Sequence, residues 1–321
     1  MKRSVWFRAH KTEVEMRIRV IILALSLILS TTISSAEEPT PRIAIAYDIG
    51  FKGDGGFNDA VGAALAIAKK RFNLVPPFIR EVPTTGTAID RLYKLRNLAR
   101  SGYTLVIAVG SGYREAVRRV SMDFPEVQFA IVNDSKLAQL NISNISFDEV
   151  GAAKIAGTIA GVRSRTRIVA IIGGTQLVNE AFIKAAGDVQ VLQVSFSGDL
   201  VKLRQEIAIA DVIYSLWDQD ARVYESVISR PTPSLYIARN PDQYFANLQT
   251  NPRVIAVIEK KLDRPINQLV RLALQNRALI DVLDPELGIY GRTYGFSNGG
   301  ISYKLKPGQP AVERALQKFK G

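Results

Sequence analysis

Short apolar, β-branched runs alternate along the chain with stretches in which apolar residues recur every three or four positions, a pattern that builds parallel sheets from strand–helix units. The runs predict strands at 42–47, 104–109, 127–132, 167–172, 189–195, 211–216, 234–238 and 254–258. Helical periodicity falls at 58–72, 87–100, 114–123, 148–162, 263–278 and 311–320. On the first of these helices Ala60, Ala64, Ile67 and Ala68 share one face, which is expected to pack on the sheet. At 321 residues the chain suits two α/β lobes better than one core.

One apolar run breaks the alternation. Residues 20–29 read VIILALSLIL, behind Arg17 and Arg19 and ahead of a stretch of small and polar residues that ends Ser34-Ser35-Ala36. That is a signal-peptide layout for residues 1–36, with cleavage before Glu37 and Met16 as an alternative start. The competing reading is an uncleaved N-terminal anchor, although the run is shorter than the roughly 20 residues that span a bilayer. Under either reading the remainder is expected to be exported to the extracytoplasmic face of the cell membrane, after a linker at 37–41.

Composition removes several classes of chemistry. Cysteine is absent, which excludes disulfides, thiolate metal sites, cysteine nucleophiles and a lipid-modified cysteine, so no lipid anchor is expected. The one histidine, His10, lies in the leader, which leaves the exported part without an imidazole for general acid–base work or zinc ligation. No catalytic residue, metal ligand or cofactor is assigned, and an enzyme is not expected. The formal charge of +12 includes +4 from the leader. The rest is dispersed, with Lys69-Lys70-Arg71 and Lys260-Lys261 as short clusters that lack interleaved aromatics, so nucleic acid is not expected as a partner.

In open α/β sheets a ligand sits beyond the carboxyl ends of the strands. The first such loop, residues 48–59, has four glycines but neither a Gly-Lys-Ser/Thr ending nor the G-x-G-x-x-G spacing, which argues against a phosphate loop. It offers an aromatic ring, Phe57, beside an amide, Asn58, and the carboxylates Asp54 and Asp59, a set suited to a planar, hydroxyl-rich molecule. The alternative is that Asn58 or Asp59 caps the helix and Phe57 is core; for Asp59 capping is the preferred reading.

Asp54-Gly55-Gly56-Phe57-Asn58-Asp59 resembles the Asp, small residue, Phe-Asn signature of the basic membrane protein family, the purine-nucleoside-receptor type of substrate-binding lipoprotein that serves ABC importers. The resemblance continues through Ala108-Val109-Gly110-Ser111-Gly112-Tyr113, the passage from Phe124 to Asp134, Asn144-Ile145-Ser146-Phe147, Ala156-Gly157 and Ile171-Ile172-Gly173-Gly174, in order. It implies a type I periplasmic-binding-protein fold, two Rossmann-like lobes with a hinge and an interlobe cleft. By that resemblance lobe one comprises 42–147 plus about 259–285, lobe two 148–258 plus about 286–305, and 306–321 form a C-terminal helix. Phe57 would stack on a purine, Asp54 and Asn58 would bond to its edge or sugar, and Asn133 or Asp134 would reach in from a neighbouring strand end.

The second lobe departs from the family pattern. Trp217 stands where a glycine-rich turn is usual, Asn240 replaces the carboxylate that grips ribose hydroxyls, and Lys260 falls at the position of a lysine implicated in binding. The implied ligand is a nucleoside or similar small molecule and the implied partner an ABC permease, with membrane association through that permease or an uncleaved leader. Two other readings stand beside this one. The first is a surface interaction protein that keeps the fold with changed or lost small-molecule binding. The second is a carboxylate-based nucleoside hydrolase built on Asp48, Asp54 and Asp134.

Overall fold

A computed structural model describes residues 41–217, 221–231 and 234–319. The leader at 1–36 and nearly all of the linker lie outside the described residues. Strands β1 (Ile43–Ile49), β2 (Ile79–Thr84), β3 (Leu105–Val109), β4 (Gln128–Val132) and β5 (Ile142–Phe147) form a parallel sheet with β12 (Ile289–Tyr294), edged by β11 (Val282–Asp284), in the order β11-β12-β5-β4-β3-β1-β2. A second sheet runs β13-β10-β9-β8-β6-β7, built from β6 (Ile168–Ile172), β7 (Gln190–Val194), β8 (Val212–Ser215), β9 (Leu235–Asn240), β10 (Val254–Lys260) and an antiparallel β13 (Ile301–Leu305). In each sheet the first strand lies inside the second, so the chain reverses direction across the sheet at the β1/β3 and β6/β8 junctions, where connecting loops part.

Both faces of the first sheet are covered, which explains why β1 reads as continuous apolar sequence. Ile43, Ile45 and Tyr47 point to one core with helices α1 (Phe57–Phe72) and α8 (Asp263–Ala273), while Ala44 and Ala46 point to the other with α2 (Ala88–Arg100) and α3 (Arg114–Asp123). The second sheet repeats the arrangement. Val169 and Ile171 face α4 (Glu149–Arg163) and α5 (Gln176–Ala186); Ala170 and Ile172 face α6 (Leu200–Glu206) and α7 (Ala221–Ile228). One apolar cluster runs through both lobes, and α9 (Pro310–Leu316) contributes Val312 and Leu316 to it. Among the described residues no helix is long and apolar enough to cross a membrane.

Three features differ from the sequence reading. On α1 the buried positions are Val61, Ala64, Leu65 and Ala68, whereas Ile67 is 53% exposed: the stripe is set by the 61–65 pair, which turns Ile67 outward. Helix α8 stops at Ala273, five residues short, because the chain turns through a left-handed Asn276. The span 286–305, read as lobe two, divides. Residues 289–294 join the first sheet beside β5, and only 301–305 pair with β10 in the second, so the chain passes between sheets near 148, 261 and 297.

Candidate functional site

The loop after β1 is organised by its own carboxylates. Asp54 Oδ1 accepts from the backbone amides of Gly56 (2.8 Å) and Asp59 (3.2 Å) and Oδ2 from that of Asn58 (3.3 Å), which satisfies the first turn of α1. Asp59 Oδ1 and Oδ2 accept from Gly53 and Gly55 N–H, both at 2.7 Å. Asn58 is 3% exposed; its amide donates to the Ile49 carbonyl at 3.0 Å and accepts from Asp48 N–H at 3.3 Å. Both ends of the amide are thus engaged with backbone, so Asn58 ties β1 to α1 and positions the loop. Phe57 is half-buried against the core that runs through both lobes.

At the end of β4 the two candidates separate. Asp134 is buried and takes a forked contact from Arg114, with Nε at 2.8 Å and Nη2 at 2.5 Å, while Oδ1 accepts from Lys136 N–H at 2.9 Å. Its carboxylate is thus held within lobe one by Arg114 and the Lys136 amide. We expect Asp134→Ala to lower stability by about 2 kcal/mol, through loss of charge-assisted bonds to a half-exposed cation. A shift in the urea midpoint with unchanged ligand response would show this; an altered response would return Asp134 to the site. Asn133, by contrast, is exposed, held with φ 66° in the left-handed region that asparagine tolerates.

Asn133 leads to a cluster of buried charges. Its Oδ1 lies 3.4 Å from Lys260 Nζ at the end of β10, so the carboxyl ends of the two sheets face each other here. Lys260 also contacts Glu149 Oε1 at 2.9 Å and Asp242 Oδ2 at 3.0 Å, and its ammonium stands 5.6 Å from the centroid of the Phe147 ring. Arg239 donates to Glu149 Oε2 at 2.7 Å and lies 3.8 Å from Asp242. Lys260, Arg239 and Asp242 side chains are nearly sealed from solvent, and Glu149 is about one-third exposed. Burial works against charge at Asp242, yet Lys260 and Arg239 hold its carboxyl below the ordinary value. Burial likewise opposes the Lys260 ammonium, and Asp242 with Glu149 holds it above the ordinary value. Two cations and two carboxylates leave the cluster formally neutral.

The residues that follow Asp242 connect it to aromatic groups of the second lobe. Gln243 is buried and donates to the carbonyls of Ser215 (3.0 Å) and Trp217 (3.2 Å), pinning the β8 end to the β9 end. Trp217 keeps 38% of its surface exposed and meets Phe196 edge-on at 5.1 Å. Tyr244 is 53% exposed, and its ring lies so close over Gly55 and Gly56 that a Cβ on Gly55 would stand 3.0 Å from it. Asn240 is exposed at the end of β9. Of the sequence-read residues the structure thus brings Asn133 and Lys260 together, engages Asp54 and Asn58 in backbone bonds, and leaves Trp217 and Asn240 on the second lobe's rim.

Sequence reasoning missed Arg239, Asp242 and Glu149. Asp242 sits two residues after Asn240 in Arg239-Asn240-Pro241-Asp242-Gln243, so the signal lay in the same short stretch. Glu149 opens the helix that follows the first crossing between lobes, where an acidic residue also suits the helix dipole. Among the described residues no three His, Cys, Asp or Glu side chains are grouped to hold a metal ion, and Asp48, Asp54 and Asp134 do not converge: Asp48 is paired with Arg91 at 2.6 Å.

Residues 42–184 match the family model described as "Bmp: ABC transporter substrate-binding protein PnrA-like". The chain is 26% identical over 230 residues to the CD4+ T-cell-stimulating antigen of Listeria monocytogenes, covering 62% of this chain and 63% of that protein. It is 24% identical over 135 residues to the ABC transporter nucleoside-binding protein BmpA of Lactococcus lactis, covering 42% and 38%. A crystal structure of an ABC transporter solute-binding protein from Aeropyrum pernix superposes with a TM-score of 0.62 at 15% identity, over 87% of this chain and 86% of that one. The fold is that of the type I periplasmic binding proteins.

Proposed function

Given that residues 42–184 belong to the PnrA-like family of ABC transporter substrate-binding proteins, we propose that this protein captures an uncharged, nucleoside-like small molecule between its lobes and presents it to an ABC permease on the extracytoplasmic face of the membrane. The observation that carries this reading is the neutrality of the buried interlobe cluster of Lys260, Arg239, Asp242 and Glu149. A charged ligand placed beside it would have to be desolvated without a compensating ion, whereas a neutral, hydroxyl-rich one meets donors and acceptors at no such cost. Trp217 and Tyr244 supply exposed aromatic faces nearby, and Asn133 and Asn240 supply exposed amides. The nucleoside-binding relative from Lactococcus lactis supports that ligand class.

A thermal-shift series with adenosine, guanosine, inosine and their free bases tests the proposal. Ligand at 100 times its dissociation constant contributes about 2.7 kcal/mol to stability, a shift of several degrees. Tyr244→Ala and Trp217→Ala should each weaken that response. Absence of stabilisation by every nucleoside at millimolar concentration would sink the proposal.

A second reading, a surface interaction protein whose cleft no longer takes small molecules, draws on one observation: Lys260, at the position implicated in binding, is already engaged by Asp242, Glu149 and Asn133. It predicts no nucleoside response and no effect of Tyr244→Ala or Phe57→Ala on partner binding.

A further inference from the structure

Away from the interlobe cluster, a groove of about 340 Å³ lies along α8, between the end of α1 and the end of β12. Arg71, Arg264, Arg271 and Arg292 line it, against the single carboxylate of Asp263. Arg292 is paired with Asp281, just outside the groove. The other three guanidinium groups have no carboxylate within salt-bridge distance among the described residues. Arg264, Gln268 and Arg271 fall at positions i, i+4 and i+7 of α8, so one helix face presents both arginines to the same space. Two contacts orient guanidinium groups here. Arg71 lies 5.5 Å from the Phe72 ring centroid, and Arg264 lies against Gly299, where a Cβ would stand 3.4 Å from its Cζ. The basic run Lys69-Lys70-Arg71 therefore does not face water as a unit: Lys69 turns to Glu81 at 2.5 Å, and Arg71 lines the groove.

One residue that lines the groove is held rigidly from behind. Asn267 Nδ2 donates to the Asp263 carbonyl at 2.7 Å, which fixes the amide and leaves its Oδ1 buried with no hydrogen bond. Three unpaired guanidinium forks call for an anion with several oxygens, because each fork can bond two of them in parallel. The Asp263 carboxylate calls for a hydroxyl donor on the same molecule. A cavity of this size falls at the lower end of those that hold small ligands, about 300 to 1,000 Å³.

We infer that this groove is a second binding site, for a hydroxylated phosphate ester. It does not depend on the interlobe reading, since none of its lining residues belongs to the Lys260 cluster. The phosphate could be carried by a free sugar phosphate or by a glycerol-bearing lipid headgroup, and the two are separable.

Titration calorimetry of the full chain with ribose 5-phosphate, inorganic phosphate and ribose is the first arm. Flotation with phosphatidylcholine vesicles, with and without phosphatidylglycerol, is the second. Ribose 5-phosphate should bind more tightly than inorganic phosphate, ribose should give no heat, and added salt should weaken binding. Arg264→Ala with Arg271→Ala should weaken it roughly tenfold or more, with unchanged melting temperature since both side chains are exposed. Vesicle binding that requires phosphatidylglycerol and is lost in the same double variant would assign the phosphate to lipid and uphold the site. The inference is overturned if neither phosphate compound nor phosphatidylglycerol binds at millimolar concentration, or if whatever binds is indifferent to the double variant. Nucleoside binding should be unaffected throughout, so failure here and failure of the interlobe proposal are told apart.

Discussion

Replacing Lys260 by methionine should destabilise the protein by about 3–5 kcal/mol, the cost of stranding a buried carboxylate without its cation. Methionine matches the length of the lysine stem, so packing changes little and the loss is electrostatic. Of its two cations Asp242 would keep Arg239, at 3.8 Å, and lose the ammonium at 3.0 Å. Its Oδ2 already receives charge without an aligned hydrogen bond, which makes the ammonium the principal compensation for burying it. Urea unfolding would read the change. A loss below about 1 kcal/mol, typical of exposed pairs, would mean that the cluster is hydrated and that its neutrality says nothing of the ligand. Adding Asp242→Asn should restore part of the loss, because the stranded charge is then removed, and the cycle isolates the pair's coupling.

The same pair predicts a pH profile. Asp242 ionises below its ordinary value in the folded state, so its contribution is present above about pH 4 and is lost as pH falls through the lower folded value. Lys260 is shifted upward, so its contribution is complete below about pH 10 and is lost as pH rises through the higher folded value. Stability from the cluster should therefore be flat between those limits. In Lys260→Met the alkaline loss should vanish and the acid loss should begin at a higher pH, since Asp242 is then less strongly held.

How much of this was legible in the sequence depends on the kind of signal. Strands β1, β3, β4, β6, β8 and β10 are buried on both faces and read as apolar runs, so their positions follow from hydropathy alone. Strand β2 was not visible. It forms one edge of its sheet, reads IREVPT, and alternates buried with exposed positions beside the Pro76-Pro77 pair. Helices α6 and α7 span seven and eight residues, too short for periodicity to declare itself. In the site, residue type drew attention to Phe57 and Asn58, but the number of backbone groups that Asn58 satisfies is a property of the folded loop. The Lys260 cluster draws on β9, β10, the turn after β9 and the start of α4, so its members are distant in sequence and their pairing appears only when both sheets are in place.

Gly161→Val should cost about 3 kcal/mol, at the upper end of the range for overpacking, because the obstacle is backbone rather than side chain. Helix α4 packs on α5 through Gly157 and Gly161, which lie one turn apart on the same face. A Cβ on Gly161 would stand 2.8 Å from the Ala186 carbonyl carbon, and one on Gly157 would stand 3.1 Å from that of Phe182. A flexible side chain could swing aside; a helix carbonyl cannot, so α4 and α5 must separate along their whole contact. The Ala156-Gly157 pair that carries part of the family resemblance thus has a packing reason. Since α4 begins at Glu149, which holds Arg239 and Lys260, displacement of the helix should also loosen the cluster and lower the response to nucleoside. Calorimetric unfolding of Gly161→Val beside Gly161→Ala would grade the effect by side-chain volume. Wild-type stability in the valine variant would show that the two helices are not in backbone contact, and would remove the rigid link through which α4 sets the Glu149 side of the site.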